Sequence, residues 1–279
     1  MTRAPSYWRQ SGVTLVELIV AITILAIVGG MVAIFMQRPI QGYVDASNRA
    51  ELTNRADTAL RRIARDVRLA LPNSLRVTTV GTTQYLEFLI TSGGGRYRAA
   101  VDTATPVAAN VLDFGAADGA FEVLGPMPVI ANGNLIVVYN LFSAAGTTTS
   151  NAYNGGAGTN RAAVTSVAGS IVNIAATQFP FESPSARFQV VTGAVTYECN
   201  PTAQLVRRYS GYAITLAQPA PPAGTPTLLV DGVSACGFTY DNAATSATLR
   251  TGVLSMTVQL TRNGENVSLQ QQVHVDNVP

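Results

Sequence analysis

The sequence contains no lysine, one histidine and two cysteines among its 279 residues, and each scarcity limits the possible chemistry. The single histidine, His274, excludes most Ser–His and Cys–His catalytic arrangements. The two cysteines, Cys199 and Cys236, do not have the CxxC spacing of a zinc site. We therefore predict a protein that is not an enzyme and that holds no cofactor and no metal.

Charge is also scarce, because charged residues make up 12% of the chain and the formal net charge is +2. All 18 basic residues are arginines, and no basic cluster is mixed with aromatic residues, so a nucleic-acid partner has no support. Arg61, Arg62, Arg65 and Arg68 form a local run, which is accompanied by the acidic residues Asp57 and Asp66. We interpret this run as the solvated face of a helix.

Short segments of the sequence resemble active-site motifs, but the other residues that those motifs require are missing. Asp113-Phe114-Gly115 spells the metal-binding tripeptide of kinases, but no catalytic loop accompanies it. Residues 93–95, GGG, lack the Lys-Ser/Thr of a phosphate-binding loop. Asp113 and Asp118 could line a calcium site, although their spacing does not match an EF-hand loop.

Hydrophobic residues are concentrated near the N-terminus, where residues 13–36 follow Gly12 and carry a single charge, Glu17. A helix of about 20 apolar residues can cross a bilayer. Arg3 and Arg9 precede this run, so the positive-inside rule places residues 1–11 in the cytoplasm and the bulk outside. Because no small-residue cleavage site follows the run, we expect the helix to be retained.

Glu17 is the informative residue of this stretch. A charge within a transmembrane helix costs roughly 2.5–3.5 kcal/mol on insertion scales. A generic signal anchor that tolerates one charge near its end is one interpretation. The other is that Glu17 finds a partner in a later, assembled state.

Residues 12–18, GVTLVEL, resemble the processing site of type IV pilins and of type II secretion pseudopilins. The resemblance implies that residues 1–12 are a leader, which the prepilin peptidase cuts after Gly12. Val13 would then become the N-methylated first residue. Glu17 would be the carboxylate that meets the N-terminal ammonium of a neighbouring subunit during assembly.

The implied partners are other major and minor pilins, which bind through the N-terminal helix. A buried carboxylate is tolerated when it is paired and costly when it is not, so docking at a filament end would relieve the cost of an unpaired Glu17. The resemblance also implies an order of locations. The protein first spans the inner membrane once with its bulk in the periplasm, and later lies in a pilus on the cell surface.

A long helix is predicted over residues 13–71, with a transmembrane part (13–42) and an amphipathic part (43–72). Gly29, Gly30 and Pro39 lower helix propensity, so we expect a kink or an unwound stretch near residues 29–42. Pro72 ends the helix. From residue 45, apolar residues recur at steps of three and four and form one predicted core-facing stripe: Leu52, Ala56, Ala59, Leu60, Ile63, Val67 and Leu71.

Residues 73–279 change to period-two patterns and turn residues, which predict a large antiparallel β-rich domain. The fold class is therefore α+β, with the N-terminal helix against that domain. The predicted strands are Tyr85–Ile90, Leu135–Tyr139, Ile171–Ile174, Arg187–Val191, Val195–Cys199 and Leu205–Tyr209. By composition, residues 144–160 form a long flexible loop and residues 218–226 a stiffer Pro-rich connection.

The clearest local prediction is a C-terminal hairpin. Asn263-Gly264 is a preferred pair for a two-residue type I′ turn. This turn places Arg262 opposite Glu265 as an opposite-charge pair, and it makes one face of the hairpin almost wholly apolar. His274 then falls on the other face, as an ordinary surface residue.

Cys199 and Cys236 both lie in the part that we expect to be exported. In an oxidising periplasm such an isolated even pair indicates a disulfide. Its loop of 38 residues, counted inclusively, stabilises the fold by about 3–4 kcal/mol in the chain-entropy model. Many type IV pilins also have a C-terminal segment bracketed by a disulfide, as the resemblance implies.

The segments VTYEC, CGFTY and QVHVDNVP narrow the resemblance to large minor pilins of the MSHA (mannose-sensitive haemagglutinin) type. That group is related to the PilW minor pilins and to J-type pseudopilins. We therefore expect a structural protein that initiates pilus assembly or lies at the pilus tip. The alternatives are a pseudopilin of a type II secretion system and a tip-borne adhesin, whose candidate surface is the 144–160 loop with Tyr153.

Overall fold

The computed structural model of the protein describes residues 12–101, 110–241 and 251–279, apart from the side chains of Gln37 and Arg38. One helix, α1 (Leu15–Arg68), precedes twelve strands, and every strand pairing is antiparallel. The predicted α+β class is confirmed. The strands are β1 (Arg76–Val80), β2 (Thr83–Tyr97), β3 (Asp118–Leu124), β4 (Leu135–Val138), β5 (Arg161–Ala168), β6 (Ile171–Thr177), β7 (Arg187–Asn200), β8 (Leu205–Ser210), β9 (Thr227–Asp231), β10 (Val233–Asp241), β11 (Thr251–Arg262) and β12 (Glu265–Asp276).

The chain divides into two compact units between Ala50 and Glu51, within α1. In the first unit, the helix continues without interruption through Gly29, Gly30 and Pro39. The prediction of an unwound stretch near residues 29–42 is therefore wrong. Pro39 has no backbone N–H and so cannot make the usual helical hydrogen bond, but the residues on either side of it remain helical.

In the second unit, the C-terminal part of α1 lies against the strands. All seven residues of the predicted apolar stripe are buried, and Ala64 joins them. The helix ends at Arg68 rather than at Leu71. The chain leaves it early because the N–H of Leu71 donates to the carbonyl of Leu89, 2.7 Å away in β2.

The arginine run of α1 is exposed as predicted, but Asp66 is not part of that solvated face. Its side chain is buried, and its carboxylate accepts hydrogen bonds of 2.8 Å from the hydroxyl of Tyr197 and from the guanidinium of Arg208. Arg62 approaches the same carboxylate at 3.5 Å. The carboxylate therefore joins α1 to β7 and β8.

Nine strands form one sheet in the order β1-β2-β3-β6-β5-β4-β7-β8-β9, and β2 pairs with β7 as well. This additional pairing closes a ring of six strands: β2, β3, β6, β5, β4 and β7. The ring has its own apolar core, in which Phe121 and Phe188 meet edge to face with ring centroids 5.2 Å apart. A second core lies between α1, the β10-β11-β12 sheet and the open part of the nine-stranded sheet, to which β2 and β7 contribute together with β8 and β9.

The long strands β2 and β7 belong to both parts of this sheet. Their register shifts twice between Ile90 and Gly93, where they pass from the open part into the ring. Such bulges bend a strand and increase its twist. The glycines that follow allow close approach, since a Cβ on Gly94 would lie 2.7 Å from the carbonyl oxygen of Phe188. The GGG string is thus a strand element of the ring.

The C-terminal hairpin of β11 and β12 has the predicted register, from Arg262 opposite Glu265 to Leu254 opposite Val273. Asn263 and Gly264 have positive φ angles of 52° and 84°, as a type I′ turn requires. His274 is exposed, as predicted. Arg262 also has a partner that was not predicted, because its guanidinium lies 3.1 Å from the carboxylate of Glu51 on α1.

The disulfide between Cys199 and Cys236 is present, with the two Cα atoms 5.9 Å apart. It joins β7 of the nine-stranded sheet to β10 of the three-stranded sheet. Cys199 is fully buried in the core beneath α1. The bond therefore links the two sheets that share this core.

The 144–160 loop was predicted to be flexible, and this prediction is wrong. Asn151 and Asn154 are buried, and their amides donate hydrogen bonds of 2.7–2.9 Å to carbonyls of the same loop. Tyr153 is 1% exposed; its hydroxyl donates to the carbonyl of Ser74, and the guanidinium of Arg76 stacks 3.5 Å from its ring centroid. Hydrogen bonds from asparagine side chains, rather than strand pairing, therefore hold this loop in its conformation.

Candidate functional site

The N-terminal segment enters α1 through a short capped turn. Gly12, Val13 and Thr14 precede the helix and are exposed, and the helix begins at Leu15. The hydroxyl of Thr14 accepts a hydrogen bond of 3.3 Å from the backbone N–H of Glu17. Thr14 and Glu17 thus occupy the first and last positions of a T-x-x-E capping pattern, a signal that the sequence reasoning above missed.

This position gives Glu17 a favourable local field. It is the acidic residue of the first helical turn, where the helix dipole favours negative charge. Thr23 is a polar residue further along the same segment, and its hydroxyl donates a hydrogen bond of 2.9 Å to the carbonyl of Val20. Among the described residues 12–36, which are mostly apolar, Glu17 is the only charged residue.

The apolar side chains around Glu17 are uncovered. None of the most apolar 18-residue window of α1 is buried, and its mean hydropathy is 2.8. By length and composition, this is the one helix of the described residues that could cross a membrane. An exposed apolar helix with one carboxylate near its start is suited to association with a bilayer or with other apolar helices, where the carboxylate needs a cationic partner.

Residues 9–33 match the family model of the prokaryotic N-terminal methylation motif. This match supports a type IV pilin-like protein. It covers the segment in which Gly12, Val13 and Glu17 lie, and it fits a protein anchored in the inner membrane. Proteins with this motif are structural rather than catalytic. No curated protein and no solved structure matches the chain.

The predicted leader falls largely on residues 1–11, which lie outside the described residues. Gly12 and Val13 are described, and both are exposed and precede the helix. Cleavage between them and methylation of Val13 remain predictions. So does the pairing of Glu17 with a neighbouring subunit.

The two aspartates considered for calcium have structural roles. Asp113 accepts from the N–H of Gly115 at 2.7 Å, and Asp118 accepts from the N–H groups of Asp113 and Ala120. Phe114, the middle residue of the DFG string, contacts the rings of Tyr97 and Phe179. Among the described residues, no group of three His, Cys, Asp or Glu side chains is arranged to hold a metal.

A set of charged contacts that sequence reasoning did not find holds the C-terminal part of α1 to the strands. Besides Asp66, Arg55 pairs with Asp231 at the end of β9, and Glu51 pairs with Arg262. Burial and the nearby Asp66 carboxylate raise the pKa of the Tyr197 hydroxyl, so Tyr197 stays a hydrogen-bond donor. The contacts lie between residues far apart in sequence, and local spacing gives no signal for them.

Proposed function

We propose that the protein is a minor pilin-like structural component of a type IV pilus, acting in the initiation of assembly or at the tip. The observation that carries this proposal is the methylation motif over residues 9–33, which coincides with an exposed apolar helix bearing one carboxylate, Glu17. A membrane anchor that only held a domain in place would have no use for that charge.

In this function residues 1–12 are a leader, and the prepilin peptidase cuts between Gly12 and Val13. Removal of the leader creates an ammonium group at Val13. In a filament the carboxylate of Glu17 meets the Val13 ammonium of an adjacent subunit among apolar helices. Because the unpaired charge is costly there, the pair sets the axial register of subunits as well as their affinity.

The large second unit favours a minor, terminal position over a repeating position in the shaft. A bulky domain is accommodated best where lateral neighbours are few. Together with the C-terminal resemblance to MSHA-type minor pilins, this supports a protein like MshO. The pseudopilin alternative shares the same motif. For the adhesin alternative, Tyr153 is no longer a candidate contact, because it is buried, although other residues of the 144–160 loop are exposed.

The direct test is intact and N-terminal mass spectrometry of the protein from sheared filaments and from membranes. We expect a chain that begins at N-methyl-Val13 and is present in the sheared fraction. A processed chain that stays in the cell envelope and supports secretion would favour the pseudopilin. An unprocessed chain found only in membranes would contradict the proposal.

Substitution of the carboxylate tests the pairing. Glu17→Ala should reduce incorporation into sheared filaments about tenfold or more, which corresponds to roughly 1.4 kcal/mol of lost subunit affinity or more. Asp45→Asn is the matched control, because Asp45 is an exposed carboxylate further along α1. Incorporation of Glu17→Ala at the level of the control would remove the assembly role of Glu17.

A further inference from the structure

The outer edge of β12 carries backbone groups with no strand beside them, since β12 is the last strand of its sheet and pairs with β11 alone. Arg262 and Glu265 flank a two-residue turn and therefore form a hydrogen-bonded pair. Every second residue of β12, counted from Glu265, then bonds to β11. The residues between them direct their N–H and C=O groups outward: Asn266, Ser268, Gln270, Gln272, His274 and Asp276. No described residue makes a backbone hydrogen bond with these groups.

The other sheet edges in the described part of the chain are protected. The edge strands of the nine-stranded sheet, β1 and β9, are only 5 residues long. β10, the opposite edge of the three-stranded sheet, has a register shift between Val233 and Ala235. The N–H of Phe238 in β10 also donates a hydrogen bond of 2.7 Å to Oε1 of Gln84. Short strands, bulges and covering groups are devices by which proteins prevent their edges from pairing.

β12 has none of these devices. It is 12 residues long and pairs with β11 without any register shift. From Asn266 to Val275 it contains no proline and no Asp, Glu, Lys or Arg. The side chains of all its outward-bonding residues are exposed. A long, regular and uncharged edge of this kind is a template for a further strand.

The sequence of β12 indicates which strand fits this edge, because its polarity is the same in both directions from Gln271. The face that contributes to the core reads Val267, Leu269, Gln271, Val273 and Val275, with two apolar residues on each side of the glutamine. On the opposite face, uncharged polar residues and His274 lie between Asn266 and Asp276. An antiparallel strand of the same sequence therefore places apolar residues opposite apolar ones and polar residues opposite polar ones.

We propose that the edge of β12 pairs, antiparallel, with the β12 edge of a second copy of this chain, with Gln271 on the twofold axis. Every outward-bonding residue then donates and accepts a backbone hydrogen bond, and no like charges face each other. The facing pairs on the exposed side, first copy and second copy, are Asn266 with Asp276, Ser268 with His274, and Gln270 with Gln272. On the core side, Val267 faces Val275 and Leu269 faces Val273.

Leu269 and Gln271 indicate what the pairing adds. Both lie on the core side of β12, yet both are only half-buried, because no strand covers them from the outer side. The second copy would cover them and join the two three-stranded sheets into one continuous sheet. A contact in which the same strand serves on both sides is isologous, so it closes as a dimer and leaves no free edge at β12.

This proposal does not rest on the function of the N-terminal helix. All of the residues that form the contact belong to the second unit, Glu51–Pro279. A failure of filament incorporation would leave the proposal intact, and a failure of β12 pairing would leave the pilin-like function intact.

Cysteine cross-linking of the full-length protein in detergent tests the register. Ser268→Cys and His274→Cys are prepared as separate proteins; both positions are exposed, and the two native cysteines are joined in a disulfide. On mixing and oxidation, we expect a covalent dimer that contains one copy of each variant. Neither variant alone should form a dimer, because identical positions lie about 20 Å apart, six residues at about 3.4 Å each. Thr257→Cys, an exposed position on the inner strand β11, is the control and should cross-link with neither.

A proline on the outer edge tests the backbone contact. The N–H of Gln270 points away from β11, so Gln270→Pro removes an outward donor and leaves the hairpin ladder in place. Introduced into both cysteine variants, it should raise the dissociation constant of the mixed dimer about tenfold or more, measured from cross-linking yield against protein concentration. Gln270→Ala keeps the N–H and is the matched control, with the yield of the unmodified pair. Circular dichroism of both variants should show an unchanged fold.

Several outcomes would overturn the proposal. A dimer formed by Ser268→Cys alone would indicate a parallel or shifted contact. An unchanged yield with Gln270→Pro would show that the copies associate elsewhere, for example through the apolar part of α1. Absence of the mixed dimer at every protein concentration would exclude the pairing, and this result does not depend on the proline variant. In cells that assemble filaments, a Ser268→Cys adduct with a different envelope protein, without the mixed dimer, would assign the edge to that protein.

Discussion

Asp66 lies on the buried side of α1 between exposed arginines, and its carboxylate connects the helix to two strands. Tyr197 and Arg208 both donate to it at 2.8 Å. Removal of one member of a buried, hydrogen-bonded charge pair is far more costly than loss of an exposed pair, because the remaining group is left desolvated and unpaired. Asp66 is therefore the most sensitive polar position of the helix–sheet contact.

Asp66→Ala should lower the free energy of unfolding by about 3 kcal/mol, since it leaves the hydroxyl of Tyr197 and the charge of Arg208 without their acceptor. Asp57→Ala provides the control on the same helix. Asp57 forms an exposed pair with Arg61 at 2.7 Å, and its loss should cost less than about 0.5 kcal/mol. Denaturant unfolding of both variants measures the difference, and equal losses would refute the buried role of Asp66.

These residues show what sequence reasoning can reach at this scale. The burial of Leu52 or Ile63 follows from helical periodicity, which is a local property of the chain. The burial of Asp66 and of Tyr153 depends on groups that are distant in sequence, such as Tyr197 and Ser74. A carboxylate in an arginine-rich run and a tyrosine in a Gly/Asn-rich loop have no local feature that distinguishes them from exposed residues.

At the scale of elements, the disulfide joins two sheets that are otherwise in contact through side chains, including a hydrogen bond of 2.7 Å from the N–H of Phe238 in β10 to Oε1 of Gln84 in β2. Cys199 lies in β7 and Cys236 in β10, 37 positions later. The double variant Cys199→Ala/Cys236→Ala should lose about 3–4 kcal/mol of unfolding free energy, because the unfolded chain regains the entropy of the open loop.

Denaturant titration of this variant and of the oxidised protein measures the loss. The double alanine variant keeps small apolar groups at both positions, so the comparison isolates the bond from gross repacking. A reduced but otherwise unmodified protein should behave like the variant. Equal midpoints for all three proteins would show that the bond does not constrain the unfolded chain.

Strand prediction succeeded only in part. All six predicted segments overlap strands, although Leu135–Tyr139 runs one residue past β4, and two of the segments form the single strand β7. Strands β1, β3, β5, β9 and β10 were not predicted. Strands β3 and β5 are rich in small and polar residues, which weaken the alternating pattern. The hairpin register was predictable because a two-residue turn fixes it, whereas the closing β2–β7 contact joins residues about 100 positions apart.

At the scale of the whole molecule, burial raises the pKa of most tyrosine hydroxyls. Seven of the ten tyrosines are affected, and all seven lie outside the apolar segment: Tyr85, Tyr97, Tyr153, Tyr197, Tyr209, Tyr212 and Tyr240. Above pH 10 the unfolded chain loses these protons while the native protein keeps them. Stability should therefore fall as pH rises above about 10.

Tyrosinate absorbance and circular dichroism, recorded together from pH 8 to 12, test this expectation. The buried tyrosines should ionise in one cooperative step that coincides with loss of structure. Independent, stepwise ionisation near the ordinary tyrosine pKa, with the circular dichroism unchanged, would contradict it.

The shared strands β2 and β7 also determine how the second unit carries mechanical load. They pair from Gln84 opposite Cys199 to Arg96 opposite Arg187, with two register shifts between Ile90 and Gly93, through both the open part of the sheet and the ring. A pull applied to the ring along these strands therefore loads their hydrogen bonds in shear, all at once, rather than opening them one by one. The disulfide at Cys199 passes part of that tension to β10 at the opposite end. The ring and the open sheet should yield as one mechanical element.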